Sequence, residues 1–554
     1  MSTRSRGKTL ALVLVLELAV GALLWFSNAP AAAQPPAPAT AAAGSASPAA
    51  AAPPAEAPAA SPSATAASAS PKDCPKPPPK PPEQKSLVDD LLPIGILIAV
   101  ITVVVLRLPS VPLGHSLELR RRRLLNWLPL GLTYSFLYFG RYNIKQFQGF
   151  GLTAAEYGTV FGVGSAVYGV AFLLNGPLTD RWGGRATILI AAAGSGVANL
   201  AMGYMAMTGD TLGLPTVTAF SLAYGLNMYF QSFGAVSIVK VNAAWFHLRE
   251  RGTFGGIFGI LISLGLYFAY DVGKRITDVF TIEWLFFIPA GILFLFFVLS
   301  YIFVRNSPSA AGHADFDLGD ATEEGERLTV AQVFVKLLTH PVILTIAIIE
   351  LCSGFLRQAI LQWGIDFGKA LHLDKTFVFQ NWGMVSCVAG ITGGMFAGAI
   401  SDHLFQSRRS PVSAVLYGVM LAGALVIVPM LAAPVGIGWV VAFMSMAIIG
   451  VHGMLTATAS ADFAGKKNTG MAVGLIDGFV YLGSTAQSFI YGAALPAAKI
   501  RDAHGCLVSN PAAADPDNWR VWPYAMIPVA LIGFLLTLRI WNAKPRRGGA
   551  AGGH

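Results

Sequence analysis

From Leu124 onward the chain repeats one pattern: a long apolar run, then a short polar break. A helix that crosses a bilayer needs about 20 such residues. Twelve runs of this kind fall near 124–147, 154–178, 186–208, 213–241, 252–273, 282–304, 341–367, 376–400, 411–432, 437–460, 469–495 and 521–541. A polar stretch, Arg305–Thr339, contains His313-Ala-Asp-Phe-Asp and Glu323-Glu-Gly-Glu and divides six runs from six. The pattern predicts an all-α membrane protein: a six-helix half at 124–304, a solvated cytoplasmic linker at 305–340, a second six-helix half at 341–543, and a tail at 544–554.

Three further segments precede this body. Met1–Lys8 carries three basic residues and no acid, Thr9–Phe26 is apolar apart from Glu17, and Ala31-Ala32-Ala33 follows. Residues 1–28 therefore read as a signal peptide or an uncleaved anchor helix. Residues 29–86 are dominated by Ala, Pro and Ser, too poor in apolar surface to fold. The proline-dense end, Pro71–Pro82, is expected to be an extended spacer outside the cytoplasm, available to a periplasmic or envelope partner. Leu91–Leu108, bounded by Asp89-Asp90 and by Arg107 and Arg120–Arg123, predicts an extra transmembrane helix within 87–123 that returns the chain to the cytoplasm.

Composition agrees with the pattern. Apolar residues make up 54% and charged residues 12%, with a mean hydropathy of +0.59; a soluble domain carries about 25% charge. The net charge of +9 is not a nucleic-acid signal, because Lys and Arg cluster at helix ends and no basic stripe interleaves with aromatics. Arg181 and Arg185, Arg249 and Arg251, Arg408 and Arg409, Lys466 and Lys467, and Arg539, Lys544, Arg546 and Arg547 mark one side of the bilayer. The positive-inside rule then puts both ends of the twelve-helix body in the cytoplasm of a bacterial inner membrane, with Lys274, Arg275, Lys369, Lys375, Lys499, Arg501 and Arg520 as exceptions. No nucleotide loop, metal cluster or nucleophile motif occurs in a solvated region, so neither an enzyme nor a cofactor is expected.

Two cations break the apolar pattern. Arg141 lies in Leu124–Phe147 and Arg357 in Pro341–Phe367, at matching places in the two halves. A cation at mid-membrane costs at least about 2.5 kcal/mol. An anionic ligand held between the halves is the simplest reason to bear that cost twice. After each arginine comes an apolar helix ending on Gly-x-x-x-Asp: Gly176 to Asp180, continuing through Arg181, Gly183 and Arg185, and Gly398 to Asp402, continuing to Arg408 and Arg409. This motif resembles the gating loop after the second helix of the major facilitator superfamily, whose fold is built from two six-helix repeats.

Within that superfamily the chain, from about Leu124 to Arg547, resembles the organophosphate:phosphate antiporters, the group of glycerol-3-phosphate and hexose-phosphate carriers. Four segments carry the likeness: Tyr138-Phe-Gly-Arg141-Tyr-Asn143; Phe355-Leu-Arg357-Gln-Ala-Ile-Leu-Gln-Trp363; Trp245-Phe with Arg249-Glu-Arg-Gly252; and Gly465-Lys466-Lys467-Asn-Thr-Gly470 with Gly478-Phe-Val-Tyr481-Leu-Gly483. The resemblance implies that Arg141 and Arg357 bind the phosphate of the substrate. It further implies that inorganic phosphate is exchanged for a sugar phosphate or glycerol phosphate by alternating access. A guanidinium suits this role, since it stays charged in apolar surroundings and offers a planar fork to phosphate oxygens. The chain departs from the family pattern at Phe172, Ile262, Gln362 and Cys387, where a basic residue, a histidine, an acid and a glutamate are expected. Phosphate is thus better supported than any particular organic group.

Other residues have two readings each. Lys145, one turn beyond Arg141, either adds a positive charge to the anion path or snorkels to the headgroups. Tyr138, Trp363, Tyr481 and His452 either line the cavity or pack. Lys240 either guides anions or anchors a helix end. Glu350 and Asp477 are intramembrane acids that either balance an arginine or carry a proton; Glu350 shares a face with Arg357. Alternatives of other classes are a transporter-like sugar-phosphate receptor, a proton-coupled carrier of another organic anion, and an efflux carrier of organic cations, against which the arginine pair argues. Of the four cysteines, Cys352 and Cys387 fall inside helices. Cys74 and Cys506 fall outside the cytoplasm, where a disulfide between them competes with unpaired thiols or a bond to another chain.

Overall fold

The computed structural model describes residues 87–107, 115–318, 332, 335, 338–405, 409–455, 469–503 and 505–542. The proposed signal segment and the Ala/Pro-rich spacer lie outside the described residues. A leading helix, α1 (Leu87–Arg107), precedes the body. The first half comprises α2 (Leu117–Tyr142), α3 (Ala154–Trp182), α4 (Gly184–Thr208), α5 (Thr216–Trp245), α6 (Leu248–Tyr267) and α7 (Trp284–Phe303). The second comprises α8 (Pro341–Leu361), α9 (Trp382–Leu404), α10 (Arg409–Met430), α11 (Ile437–Met454), α12 (Thr469–Ala494) and α13 (Val521–Arg539). Helix α1 packs against α9 through the buried side of an otherwise apolar rod.

Local sequence sets the helix ends. Ser116 caps α2 by accepting the Leu119 N–H, and Thr153 with Glu156 forms a reciprocal capping box on α3. Gly183, at φ +84°, turns α3 into α4; a Cβ there would collide with the Asn306 side chain. Among the described residues, seven helices are long and apolar enough to cross a membrane: Ala154–Trp182, Gly184–Thr208, Trp284–Phe303, Pro341–Ala370, Arg409–Met430, Pro434–Met454 and Pro516–Arg539. Helices α2, α5 and α12 are equally long but carry buried polar residues, among them Arg141, Asn227, Gln231, Ser484 and Gln487.

Among the described residues, four interruptions were not visible in the apolar runs; one splits the eighth run at Asn381, between a short helix Phe377–Gln380 and α9. The first run breaks at Asn143, whose side-chain amide donates to Asn199 Oδ1 and the Leu285 carbonyl (3.0 Å each), before a short turn Ile144–Phe147. The fifth passes through a π-helical turn, Phe268–Val272, and ends in Gly273–Val279. The seventh breaks at Gln362 and resumes as Trp363–Ala370.

The halves meet mainly where α3 packs on α12 and α6 on α9. Within the second half α8 crosses α12 with the backbones touching: a Cβ on Gly354 would strike the Val480 carbonyl, and one on Gly483 the Leu351 carbonyl. At the end carrying the polar linker, Arg305 receives Asn126, Trp245 and Phe303 neighbours: its N–H donates to Asn126 Oδ1 (2.7 Å), and its carbonyl accepts from Trp245 Nε1 (2.9 Å). The opposite, distal end carries a hairpin of β1 (Lys499–Arg501) and β2 (Leu507–Ser509), paired antiparallel.

Candidate anion-binding site

Arg141 sits in the last turn of α2 and is fully buried. Its Nε donates to Gln231 Oε1 of α5 (2.8 Å), and its Nη1 donates to Tyr481 Oη of α12 (2.6 Å), so one side chain joins both halves. The guanidinium lies over the rings of Tyr138 (4.5 Å) and Tyr168 (4.6 Å). Tyr168 packs on Tyr481 with centroids 4.1 Å apart. Gln231 is itself held by Asn227 Oδ1 (3.0 Å), and Asn227 donates to the Gly140 carbonyl (2.9 Å), which fixes the cradle before any ligand arrives. The Nη2 of Arg141 is buried and has no hydrogen-bond partner.

Arg357, on α8, is half-buried, and its Nε is likewise buried without a partner. The phenols of Tyr138 and Tyr481 lie within electrostatic reach of both guanidiniums. Two arginines from opposite halves therefore share aromatic neighbours, and each holds an N–H with nothing to bond. Burying such a donor costs about 1–3 kcal/mol unless an acceptor is supplied. An anion with several oxygens can satisfy both.

Distal to this pair, polar contacts close the seam. Lys145 does not reach the headgroups: it is 1% exposed, donates to Asp366 Oδ2 (2.7 Å) across the halves and to Gln148 Oε1 (2.6 Å), and lies over the Tyr157 and Trp363 rings. Trp363 is a buried packing residue there, between Tyr157 and Tyr491. Tyr157 donates to Gln362 Oε1 (2.5 Å), Gln362 to Gln358 Oε1 (3.3 Å), and Gln358 to Tyr142 Oη (3.1 Å). Asp271, in the π-helical turn, accepts the Gly383 and Met384 N–H groups at the start of α9 (2.7 and 2.8 Å). Arg501 of β1 clasps Glu156 of α3 (2.8 and 3.0 Å), and Lys499 donates to the Gly149 carbonyl (2.7 Å).

The remaining sequence-derived residues are placed as follows. Glu350 is fully buried and meets His452 of α11, not Arg357: Oε2 lies 3.1 Å from His452 Nδ1. Asp477 is half-buried on α12, one turn before Tyr481. In the gating motif, exposed Asp180 accepts from Lys240 (2.5 Å), and Arg181 is exposed. Arg185 donates its N–H to Asn306 Oδ1 and its Nη2 to the Tyr301 carbonyl (2.8 Å each). Gly176 meets nothing within 4 Å, and the close helix approach falls to Gly184 against α5. The Asp402 side chain, Arg408, Lys466, Lys467 and Cys74 lie outside the described residues. Cys506 is buried in the distal hairpin; Cys352 and Cys387 are buried free thiols.

Sequence reasoning did not single out Gln231, Tyr168, Gln358 or Asp366. The available signal was their polarity inside apolar runs, as with Asn227 and Gln231 one turn apart.

Comparison with known proteins follows this geometry. Residues 124–488 match the Major Facilitator Superfamily. The chain is 27% identical over 388 residues to the glycerol-3-phosphate transporter of Bacillus subtilis (strain 168), covering 66% of this chain and 84% of that protein. It is 25% identical over 427 residues to the membrane sensor protein UhpC of Salmonella typhimurium, covering 69% and 88%. It is 24% identical over 445 residues to a probable hexose phosphate transport protein of Chlamydia pneumoniae, covering 74% and 90%. Among solved structures, a bacterial homologue of the human lysosomal transporter Spinster superposes with a TM-score of 0.57 at 13% identity, over 78% of this chain and 99% of that one. A D-xylose–proton symporter superposes at 0.52 and 16% identity, over 76% and 97%. Twelve described helices in two halves, a cation from each half near shared tyrosines, and a match over most of the helical body converge: this chain is a multi-pass membrane transport protein, not an enzyme, and it belongs to the major facilitator superfamily.

Proposed function

We propose that this protein is a secondary carrier that exchanges inorganic phosphate for a phosphorylated small metabolite, of the sugar-phosphate or glycerol-phosphate type. One observation carries the reading: Arg141 Nη2 and Arg357 Nε, from opposite halves, are buried donors without partners. A phosphate group supplies acceptors to both and neutralises a charge that is otherwise costly at this depth. The likeness to the Bacillus subtilis glycerol-3-phosphate transporter and the Chlamydia pneumoniae hexose phosphate protein supports the same substrate class. Both ends of the body are assigned to the cytoplasm on the charge pattern. The distal contacts then correspond to a closed outer gate, and rocking of the halves about the bound anion gives alternating access. Exchange follows from the same charges: without an anion, two cations facing one another resist the closure needed to return.

Purified protein in liposomes is expected to take up labelled phosphate only against trapped phosphate or phosphate ester. Robust movement of an organic cation without phosphate exchange overturns the reading. The likeness to a membrane sensor protein favours one second reading, a sugar-phosphate receptor; saturable binding of a sugar phosphate with no exchange of any phosphate compound supports it.

A further inference from the structure

The arginine pair leaves a second polar site unexplained. Glu350 lies on α8 seven residues before Arg357, about 10 Å along the helix toward the linker end. Its side chain is 0% exposed, and its Oε1 is buried without a hydrogen-bond partner. Its other oxygen meets His452 Nδ1 at 3.1 Å, and the His452 side chain is 27% exposed. The Tyr417 phenol of α10 does not serve the acid: it gives its hydroxyl to the Ile349 carbonyl (2.5 Å).

A buried carboxylate with one oxygen lacking a hydrogen bond is costly in such a place, which favours a bound proton. Either Glu350 carries a proton and donates it to a neutral imidazole, or His452 carries the proton and forms an ion pair. In both arrangements the pair holds one proton. Among the described side chains, the remaining charged and titratable groups on the packed elements are Cys352 and Arg357 on α8, Asp366 and Lys369 beyond it, Cys387 on α9, Arg409 on α10, Asp477, Tyr481 and Tyr491 on α12, and Tyr524 and Arg539 on α13. Of these, Arg357 is the substrate-site cation, two turns away on the same helix face.

We propose that Glu350 and His452 form a proton-binding site that couples proton movement to anion binding at Arg357. The route is short. A proton from water reaches the imidazole through the exposed part of the His452 side chain. His452 gives up its other proton from Nδ1 to Glu350 Oε2, and the reverse steps release it. Neutralising Glu350 removes the negative charge that competes with the substrate for Arg357, so a loaded proton favours a loaded anion. The inference rests on the anion-carrier reading for its second half only; the proton site itself does not require a substrate.

The test has two independent arms. Infrared difference spectra of the purified protein, titrated with acid in the absence of phosphate, are expected to show the carbonyl stretch of a protonated carboxylic acid, lost in Glu350→Gln. In liposomes, labelled phosphate exchange of the native protein is expected to depend on pH and to be accompanied by proton movement, reported by a trapped dye. In Glu350→Gln the proton movement is lost and the pH dependence falls back to that of phosphate's own ionisation, while exchange stays measurable. His452→Gln keeps the acid and its band but slows the proton step, which guards against a folding defect at Glu350. Exchange accompanied by identical proton movement in native and Glu350→Gln protein overturns the proposal, as does an infrared band that survives the substitution. If the native protein exchanges no phosphate, the carrier reading falls and the infrared arm alone decides the proton site.

Discussion

Arg141 spends two of its donors on Gln231 and Tyr481 and keeps one unfilled. That arrangement uses the fork and not merely the charge. Arg141→Lys and Arg357→Lys are therefore each expected to raise the phosphate concentration for half-maximal exchange about ten- to a hundredfold, the worth of one or two charge-assisted hydrogen bonds. Folded variants that exchange normally would show that the arginines serve structure alone. The arginines were legible because a cation in an apolar run demands an explanation. Their partners were not, since Tyr481 is 340 residues from Arg141 in sequence and nothing local announces the pairing. Lys145 shows the same limit from the other side. A lysine near a helix end reads as a headgroup anchor, yet the break at Asn143 and an acid 221 residues away keep it inside.

At the scale of elements, the apolar runs located the helices well, because long runs and polar breaks are properties of the chain itself. The breaks at Asn143 and Gln362 and the π-helical turn depend on what neighbouring helices offer, and the runs concealed them. Helix crossing is a further property that requires two elements. Where α8 meets α12, neither Gly354 nor Gly483 has room for a methyl group against the opposing backbone carbonyl. Gly354→Ala or Gly483→Ala is expected to destabilise the fold by about 1–3 kcal/mol, the usual cost of overpacking. Gly291→Ala, in α7 with nothing within 4 Å, is the matched control and is expected to change little. Thermal unfolding in detergent reads the difference, and equal midpoints for Gly354→Ala and Gly291→Ala would sink the argument.

For the whole molecule, the leading segments pose a separate question of attachment. Cys352 and Cys387 are free thiols buried within the helical core, whereas Cys506 sits in the distal hairpin. We expect a disulfide between Cys74 and Cys506. The 13 residues from Cys74 to the start of α1 reach about 40 Å when extended. Non-reducing peptide mapping is expected to recover the two peptides joined; alkylation of both cysteines in protein prepared without reductant rejects the pairing.

The distal seam has a consequence for how the halves find one another. The first half contributes a cation at Lys145 and anions at Glu156 and Asp271. The second answers with an anion at Asp366, a cation at Arg501 and the positive end of α9. The first half presents one cation and two anions and the second half the three opposite signs, so the two faces carry complementary charge. A misaligned joint would leave these buried or half-buried charges without their partners. A carrier that opens and recloses repeatedly must return to the same alignment every time, and this complementarity lets the faces recognise their register before the aromatic surfaces touch.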